Sequence, residues 1–278
     1  MAKTKKTNAP GIKNASIVIL LCFICTACLY LFWFGSPTHF FPEGEVPEGI
    51  SSMFFTDIEA HPHDIWGTIF MGGIIVPVLQ CLFLTVIVLC VERWIALNAA
   101  KGTGDITKFV ANIKTALAAN DFAKAKELCA KQKGSVAAVV SQAINSYEEM
   151  DKNTVLSKEQ KIANIQKSIE EATALEMPSL QQNLPIVATM TTLGTLVGLL
   201  GTVIGMIKSF QALSASGAPD STALSAGISE ALINTAFGIA TGAFAVIGYN
   251  FYTNKIDHLT YAIDEIGFSI VQSFAASH

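Results

Sequence analysis

Apolar residues fall into four long runs, 15–34, 65–91, 184–207 and 228–252, separated by stretches rich in charge. A helix needs about 20 apolar residues to cross roughly 30 Å of hydrocarbon. Each run reaches that length, so the pattern predicts four membrane-spanning helices. Between the second and third runs the pattern changes to helical periodicity with many charges. Ile106, Phe109, Val110, Ile113 and Leu117 mark one helix face after Asp105. Asn120-Asp121 reads as the cap of a second helix running to Lys131. Ser157-Lys158-Glu159-Gln160 has the spacing of a capping box that opens a third, expected to end at Met177 before Pro178. Gly102-Thr103-Gly104 and residues 150–154 separate these segments, and no strand signal appears. The expected fold class is all-α: a polytopic helical membrane protein whose long transmembrane helices extend into a cytoplasmic helical domain.

Charge orients this plan, because short cytoplasmic flanks collect Lys and Arg. Segment 35–64 has no Lys or Arg but carries Glu43, Glu45, Glu48, Asp57, Glu59 and Asp64, and loop 209–226 carries only Asp220. Both are expected outside. The N-terminal tail carries Lys3, Lys5, Lys6 and Lys13, segment 92–183 carries Arg93 and eleven lysines, and Lys255 follows the fourth run. The organisation expected is a cytoplasmic basic tail (1–14), a first transmembrane helix (15–34), a periplasmic acidic loop (35–64), a transmembrane helix (65–91), the cytoplasmic helical domain (92–183), a transmembrane helix (184–208), a periplasmic loop (209–226), a transmembrane helix (227–252) and a cytoplasmic tail (253–278). Lys208 is the one basic residue on the outer side, where its stem allows it to snorkel to the interface. Lysines before an apolar run also describe a signal peptide. The run is long and no small-x-small cleavage site follows it, so an uncleaved span is expected.

Composition agrees: 51% of residues are hydrophobic, 14% are charged, and the mean hydropathy is +0.46. Of the six cysteines, five lie in the apolar runs, which argues against a disulfide framework. Cys22, Cys25 and Cys28 have a spacing seen in iron-sulfur ligation, but without a fourth ligand they read as packing residues. His61-Pro62-His63-Asp64 reads as a turn before the second span rather than as a metal site. No phosphate-binding loop and no nucleophile-base constellation is present, so no enzyme, no ATP-driven pump, no cofactor, no metal and no nucleic acid is expected.

The candidate chemistry concentrates on Glu230, the only Asp, Glu, Lys, Arg or His inside any of the four runs. A carboxylate at membrane depth costs about 2.5 to 3.5 kcal/mol on insertion scales, so it persists where it has an ion path or a partner. At about 100° per residue, Asn234 and Thr241 cluster within roughly 40° of Glu230, whereas Thr235 lies about 140° away. Ala231, Thr235, Gly238 and Gly242 form a small-residue face. In the third run Gly194, Gly198, Gly201 and Gly205 share roughly 60° of arc, a stripe that admits another backbone closely, from the same chain or from another subunit. Beside it Thr191, Thr195 and Thr202 form a stripe of hydroxyls that either satisfy their own backbone or line a wet path. Glu230 lies near the outer end of the fourth run, and a central relay requires that helix to begin earlier, near Thr222.

Leu199-Leu200-Gly201-Thr202-Val203-Ile204-Gly205-Met206-Ile207-Lys208-Ser209-Phe210 resembles the G-T-V-x-G-M-I-x-x-F signature of the ExbB/TolQ/MotA proton-channel family, closest to ExbB and TolQ. Residues 228–238 are similar to that family's I-A-E-A-L-x-x-T-A-x-G segment, and Tyr249-Asn250 to its following Y-N. Asn120 through Cys129 and then 136–144 resemble its cytoplasmic G-D-x-x-x-A pattern, and Glu92-Arg93 fits the exit of the second span. The resemblance implies a homopentamer enclosing the helices of an ExbD-like single-span subunit that carries a membrane aspartate. It also implies inward proton flow that drives a TonB-like protein for outer-membrane uptake, in a bacterial inner membrane, with both termini cytoplasmic and membrane lipid around the subunits. The family's glutamate matches Glu230 and its two pore threonines match Thr202 and Thr235. Thr191, Thr195, Asn234 and Thr241 are further candidate pore-lining residues, and Gly194, Gly198, Gly201, Gly205, Gly238 and Gly242 are candidate helix-packing residues. The chain departs from the family where A-P-L-L-G is replaced by Gly194-Thr195-Leu196-Val197-Gly198 and A-I-P-A by Gly242-Ala243-Phe244-Ala245, so proline-dependent bends do not carry over. The first span is additional to the usual three. A TolQ-like role in envelope constriction and a passive oligomeric scaffold are the alternatives, while a solute transporter lacks the inverted repeats it requires.

Overall fold

The computed structural model of the protein describes residues 14–42, 44–55, 61–215 and 221–277. The lysines of the N-terminal tail, Glu43, Asp57, Glu59 and Asp220, all used above for orientation, lie outside the described residues. Among the described residues there is no strand. Helix α1 (Ala15–Cys28) continues into a π-helical turn, Leu29–Phe34. It is followed by α2 (Ile65–Phe70), α3 (Ile75–Lys101), α4 (Ile106–Ala118), α5 (Phe122–Gln132), α6 (Gly134–Lys152), α7 (Lys158–Gln181), α8 (Leu184–Ala215) and α9 (Ser221–Ser277). Helical stretches long and apolar enough to cross a membrane lie within Ala15–Phe34, Ile75–Ala118, Lys158–Ser214 and Leu224–Ser277. At 1.5 Å per residue α9 is about 85 Å long, nearly three times the hydrocarbon thickness. Its C-terminal half, with Lys255, Asp257, Asp264 and Glu265, therefore belongs in water.

The chain forms two compact units, Lys13–Cys90 with Pro185–Tyr249, and Val91–Leu184 with Asn250–His278. In the first unit Val18 and Cys22 of α1 pack with Cys81, Leu82, Val86 and Leu89 of α3, Val187 and Met190 of α8, and Ala245 of α9. The glycine stripe of α8 faces α9 of the same chain. A Cβ added at Gly194 would lie 2.8 Å from the Thr241 side chain, and one at Gly205 would lie 2.8 Å from the Ala231 backbone nitrogen. At Gly198 an added Cβ would lie 2.9 Å from the Gly238 Cα and 3.0 Å from the Asn234 carbonyl, and neither atom can swing away. Gly198→Leu is therefore expected to destabilise the protein by about 1–3 kcal/mol through overpacking, measurable as an earlier thermal unfolding in detergent.

In the second unit α4 to α7 pack with the end of α9. Tyr147 of α6 meets Phe274 edge-on at 4.9 Å and shares a hydrogen bond of 2.9 Å with Ser277. Lys114 of α4 pairs with Glu265 of α9 at 2.6 Å. Local signals act as their residue types dictate. Asp121 Oδ1 accepts from the Lys124 amide at 2.9 Å to cap α5, and Ser157 and Gln160 form a reciprocal capping box on α7. Cys129 is buried on α5, and burial pushes its thiol up to about 12. Alkylation by iodoacetamide at about pH 8, mapped by mass spectrometry, is expected to spare Cys129 in the folded protein and to modify it after unfolding, because the thiolate is the reactive form.

Two helices depart from the expected boundaries. Helix α7 runs through Pro178 to Gln181 instead of ending at Met177. Proline there forfeits one ladder bond, to the carbonyl four residues back, while the final turn's carbonyls find an outside donor, because Arg93 Nη1 lies 3.3 Å from Ser179 O and 3.4 Å from Leu180 O. The second apolar run is not one helix. Residues 71–74, Met-Gly-Gly-Ile, interrupt it between α2 and α3, with Gly73 at φ +76°, a conformation open to glycine without a Cβ penalty. Ahead of the interruption Asp64 caps α2, accepting from the Gly67 amide at 2.9 Å while its other oxygen meets His39 Nδ1 at 2.7 Å. Slight burial raises the Asp64 carboxyl, but these hydrogen bonds outweigh it and hold it below the usual range. The stability this cap contributes is thus present above the unfolded value and lost as pH falls through the lowered folded value.

Candidate functional site

Glu230 sits in the third turn of α9, which begins at Ser221, earlier than hydropathy places it and about where a central relay requires. Its residue surface is 7% exposed, and both carboxylate oxygens are engaged by Lys208 Nζ, at 2.6 and 2.9 Å. Lys208 therefore does not simply reach for the interface. Its stem extends along α8 and its ammonium neutralises the one carboxylate in the apolar runs, while its side chain stays 51% exposed. A buried carboxylate without such a partner would carry an uncompensated desolvation cost. The third wall is the interruption after α2. A Cβ on Gly73 would lie 2.5 Å from Glu230 Oε1 and 3.6 Å from Lys208 Nζ, so the bare backbone covers the ion pair where a side chain would not fit.

The remaining sequence-predicted residues divide into two groups. Asn234 is fully buried one turn beyond Glu230 and donates Nδ2 to Gly72 O at 3.0 Å, while its Oδ1 is buried with no hydrogen-bond partner among the described residues. Thr241 is also fully buried, returning its hydroxyl to Phe237 O at 2.8 Å and filling the space opposite Gly194. The second group lies around the helix from the carboxylate. The hydroxyls of Thr202 of α8 and Thr235 of α9 are hydrogen-bonded to each other, so that one donates across the pair and the other to its own backbone, where Gly198 O lies 3.2 Å from Thr202 and Ala231 O 3.1 Å from Thr235. Both are partly exposed. Thr195 is exposed, bonded to Thr191 O at 3.2 Å, and a Cβ on Gly242 would lie 2.8 Å from its hydroxyl. Thr191 is half-buried. Glu230 is thus joined to Lys208 and Gly73, and through the interruption to Asn234, while Thr202 and Thr235 form a separate polar pair.

What the site can do follows from these groups. A carboxyl carries a proton, a primary ammonium can release its hold on a carboxylate when another charge arrives, and non-helical backbone at membrane depth is tolerated where protein or a wet cavity supplies partners. Sequence reasoning did not find the Lys208 pairing, although a signal existed: a short loop after α8 makes it antiparallel to α9, which sets Lys208 and Glu230 at similar depth. The Gly72-Gly73 pair inside an apolar run was likewise a visible mark of a break.

Residues 132–265 match the model of the MotA/TolQ/ExbB proton channel family. The chain is similar to an ExbB-like biopolymer transport protein of Synechocystis sp., 36% identical over 94 residues that make up 32% of this chain and 45% of that protein. It is also similar to the Tol-Pal system protein TolQ of Haemophilus influenzae, 39% identical over 75 residues, 27% of this chain and 33% of that one. A biopolymer transport protein ExbB of Helicobacter pylori is 35% identical over 94 residues, 34% of this chain and 64% of its own length. The chain thus spans less than half the length of the Synechocystis and Haemophilus relatives it matches.

Proposed function

The chain belongs to the MotA/TolQ/ExbB proton channel family, and from that premise we propose that it is an ExbB-like subunit of an inner-membrane motor. In this reading the motor converts proton motive force into mechanical work on a TonB-like protein for outer-membrane nutrient uptake. The observation that carries the reading is Glu230, a buried carboxylate inside an apolar helix, held by Lys208 under a backbone break. A proton crossing the full membrane releases about 2.3 kcal/mol per 100 mV, so repeated passage supplies work without nucleotide hydrolysis.

In the proposed assembly five copies enclose an ExbD-like single-span subunit whose membrane aspartate completes the proton site with Glu230, and the Thr202–Thr235 pair borders the path. Both termini are cytoplasmic and segment 35–64 is periplasmic. Protonation of the Glu230 and partner-aspartate site changes which pentamer face the inner helices prefer, and rotation follows. The exposed apolar residues Leu196, Leu199, Val203 and Phe210 of α8, and Ile239, Phe244, Ile247 and Phe251 of α9, support an assembly in which lipid and neighbouring subunits cover these helices. A TolQ-like role in envelope constriction is the second reading, because the TolQ of Haemophilus influenzae is as similar over its aligned segment as the ExbB-type relatives.

The test is reconstitution. Native mass spectrometry of the chain with and without a co-expressed ExbD-like partner is expected to give five copies, and liposomes holding both are expected to pass protons under an imposed potential. A monomer in both preparations overturns the architecture. Assembled pentamers that pass no protons would leave a passive scaffold. Co-purification with a TonB-like rather than a TolA-like protein separates the two motor readings.

A further inference from the structure

Tyr30, from the segment that continues the first helix, touches the backbone break beside Glu230. Tyr30 is the second residue of the π-helical turn Leu29–Phe34, and the Gly35 amide bonds back five residues to Tyr30 O at 3.0 Å. A π turn adds a residue to the helical circuit and so re-aims the side chains it carries. Here it aims Tyr30 inward. The residue is 4% exposed, its ring stacks on Phe70 with centroids 4.8 Å apart and planes inclined by 22°, and its hydroxyl lies 2.8 Å from Phe70 O and 3.0 Å from Gly73 O. These carbonyls border the interruption between α2 and α3. Asn234 holds Gly72 O from the opposite side.

We infer that Tyr30 is a positioning residue for the Glu230 site: its hydroxyl, shared between Phe70 O and Gly73 O, holds the Met71–Ile74 interruption closed over the Glu230 carboxylate. The inference rests on the reading of Glu230 as the proton-carrying group. Its physical basis is that the interruption is held by turn bonds instead of a continuous helical ladder, Gly73 N to Phe70 O and Val76 N to Gly73 O at 3.2 Å each, and the Tyr30 hydroxyl is a second donor that ties both carbonyls together. Tyr30 donates to Phe70 O and Gly73 O and Asn234 to Gly72 O, so the break is pinned from two different helices. Gly73 is thereby fixed where a Cβ would lie 2.5 Å from Glu230 Oε1. Among the described residues the ionisable groups facing the carboxylate are Lys208 from α8 and Tyr30 from the first helix. Tyr30, Gly72 and Gly73 all lie outside the segment 132–265 that matches the family.

The test uses the full chain, co-purified with its ExbD-like partner, and dicyclohexylcarbodiimide as the probe of the Glu230 carboxyl, with labelling located by mass spectrometry and Glu230→Gln as the blank. Tyr30→Phe keeps the ring and removes the hydroxyl. It is expected to label Glu230 about fivefold faster than wild type, the effect of losing one hydrogen bond. It is also expected to speed amide hydrogen exchange selectively at residues 72–76 and to move the Glu230 carboxyl band in the infrared difference spectrum against Glu230→Gln. Tyr30→Leu, which also removes the ring, is expected to do the same and to lower thermal stability. The inference is overturned if Tyr30→Phe labels at the wild-type rate while Tyr30→Leu does not, since the ring alone would then matter. Faster exchange spread evenly over the chain overturns it as well. Proton flux that survives in Glu230→Gln would instead remove the functional reading, with the labelling contrast still deciding the role of Tyr30.

Discussion

Glu230→Gln is expected to abolish proton flux through the reconstituted assembly, by on the order of 10²-fold or more, while leaving subunit number and helix content as in the wild type. The glutamine amide matches the carboxyl in size and still offers Lys208 an acceptor oxygen, so the packing among α8, α9 and the Gly73 backbone survives. What it loses is the ability to take up and release a proton. Flux is read with a pH-sensitive dye inside liposomes that contain the chain and an ExbD-like partner under an imposed potential. Glu230→Asp, which keeps the chemistry on a side chain one methylene shorter, is expected to retain part of the flux, because it moves the carboxyl away from Lys208 Nζ, now 2.6 Å distant. Wild-type flux in Glu230→Gln would assign the carboxylate a purely structural role.

Arg93→Ala is expected to give the largest loss of stability, about 3–5 kcal/mol, because it leaves a buried charge without its partner. Arg93 has no exposed surface, and Glu92 is 7% exposed. Two guanidinium nitrogens grip the two Glu92 oxygens, Nε to Oε2 at 2.6 Å and Nη2 to Oε1 at 2.5 Å, a bidentate arrangement between sequence neighbours. The third nitrogen reaches the terminal carbonyls of α7, and Asn183 adds a donor to Glu92 at 3.3 Å. Removing Arg93 therefore takes the counter-ion from a buried carboxylate and uncaps the end of α7 together. The double variant Glu92→Gln with Arg93→Met is expected to recover much of the loss, since no unpaired charge remains. Thermal or denaturant unfolding of the detergent-solubilised protein measures both. Equal destabilisation by the single and the double variant would assign the effect to the α7 carbonyls rather than to the lost counter-ion.

The four spans, the charged helical domain and the isolation of Glu230 were legible because each is a one-dimensional property: length of apolar run, period of apolar residues, and absence of other charges. Caps at Asp121 and Ser157 were legible for a similar reason, since a capping side chain bonds backbone within three residues of itself. The glycine stripe of α8 was visible as a face, but its partner was not. Only the fold sets it against Gly238, Asn234 and Ala231 of α9 within the same chain. The end of α7 was misjudged because the donor that lets it pass Pro178 comes from residue 93, 86 positions away.

The sequence by itself determined how many helices are apolar enough to cross a membrane, where the charged domain lies, and that one carboxylate stands alone in the apolar runs, since hydrophobicity and charge are carried by each residue whatever surrounds it. Tertiary structure alone decided that this carboxylate is paired with Lys208, that the backbone break of the second run covers it, and that Tyr30 and Asn234 hold the broken backbone against it. The reason is that hydrogen bonds and ion pairs form at about 3 Å, and helices distant in sequence come within that range only after they have packed.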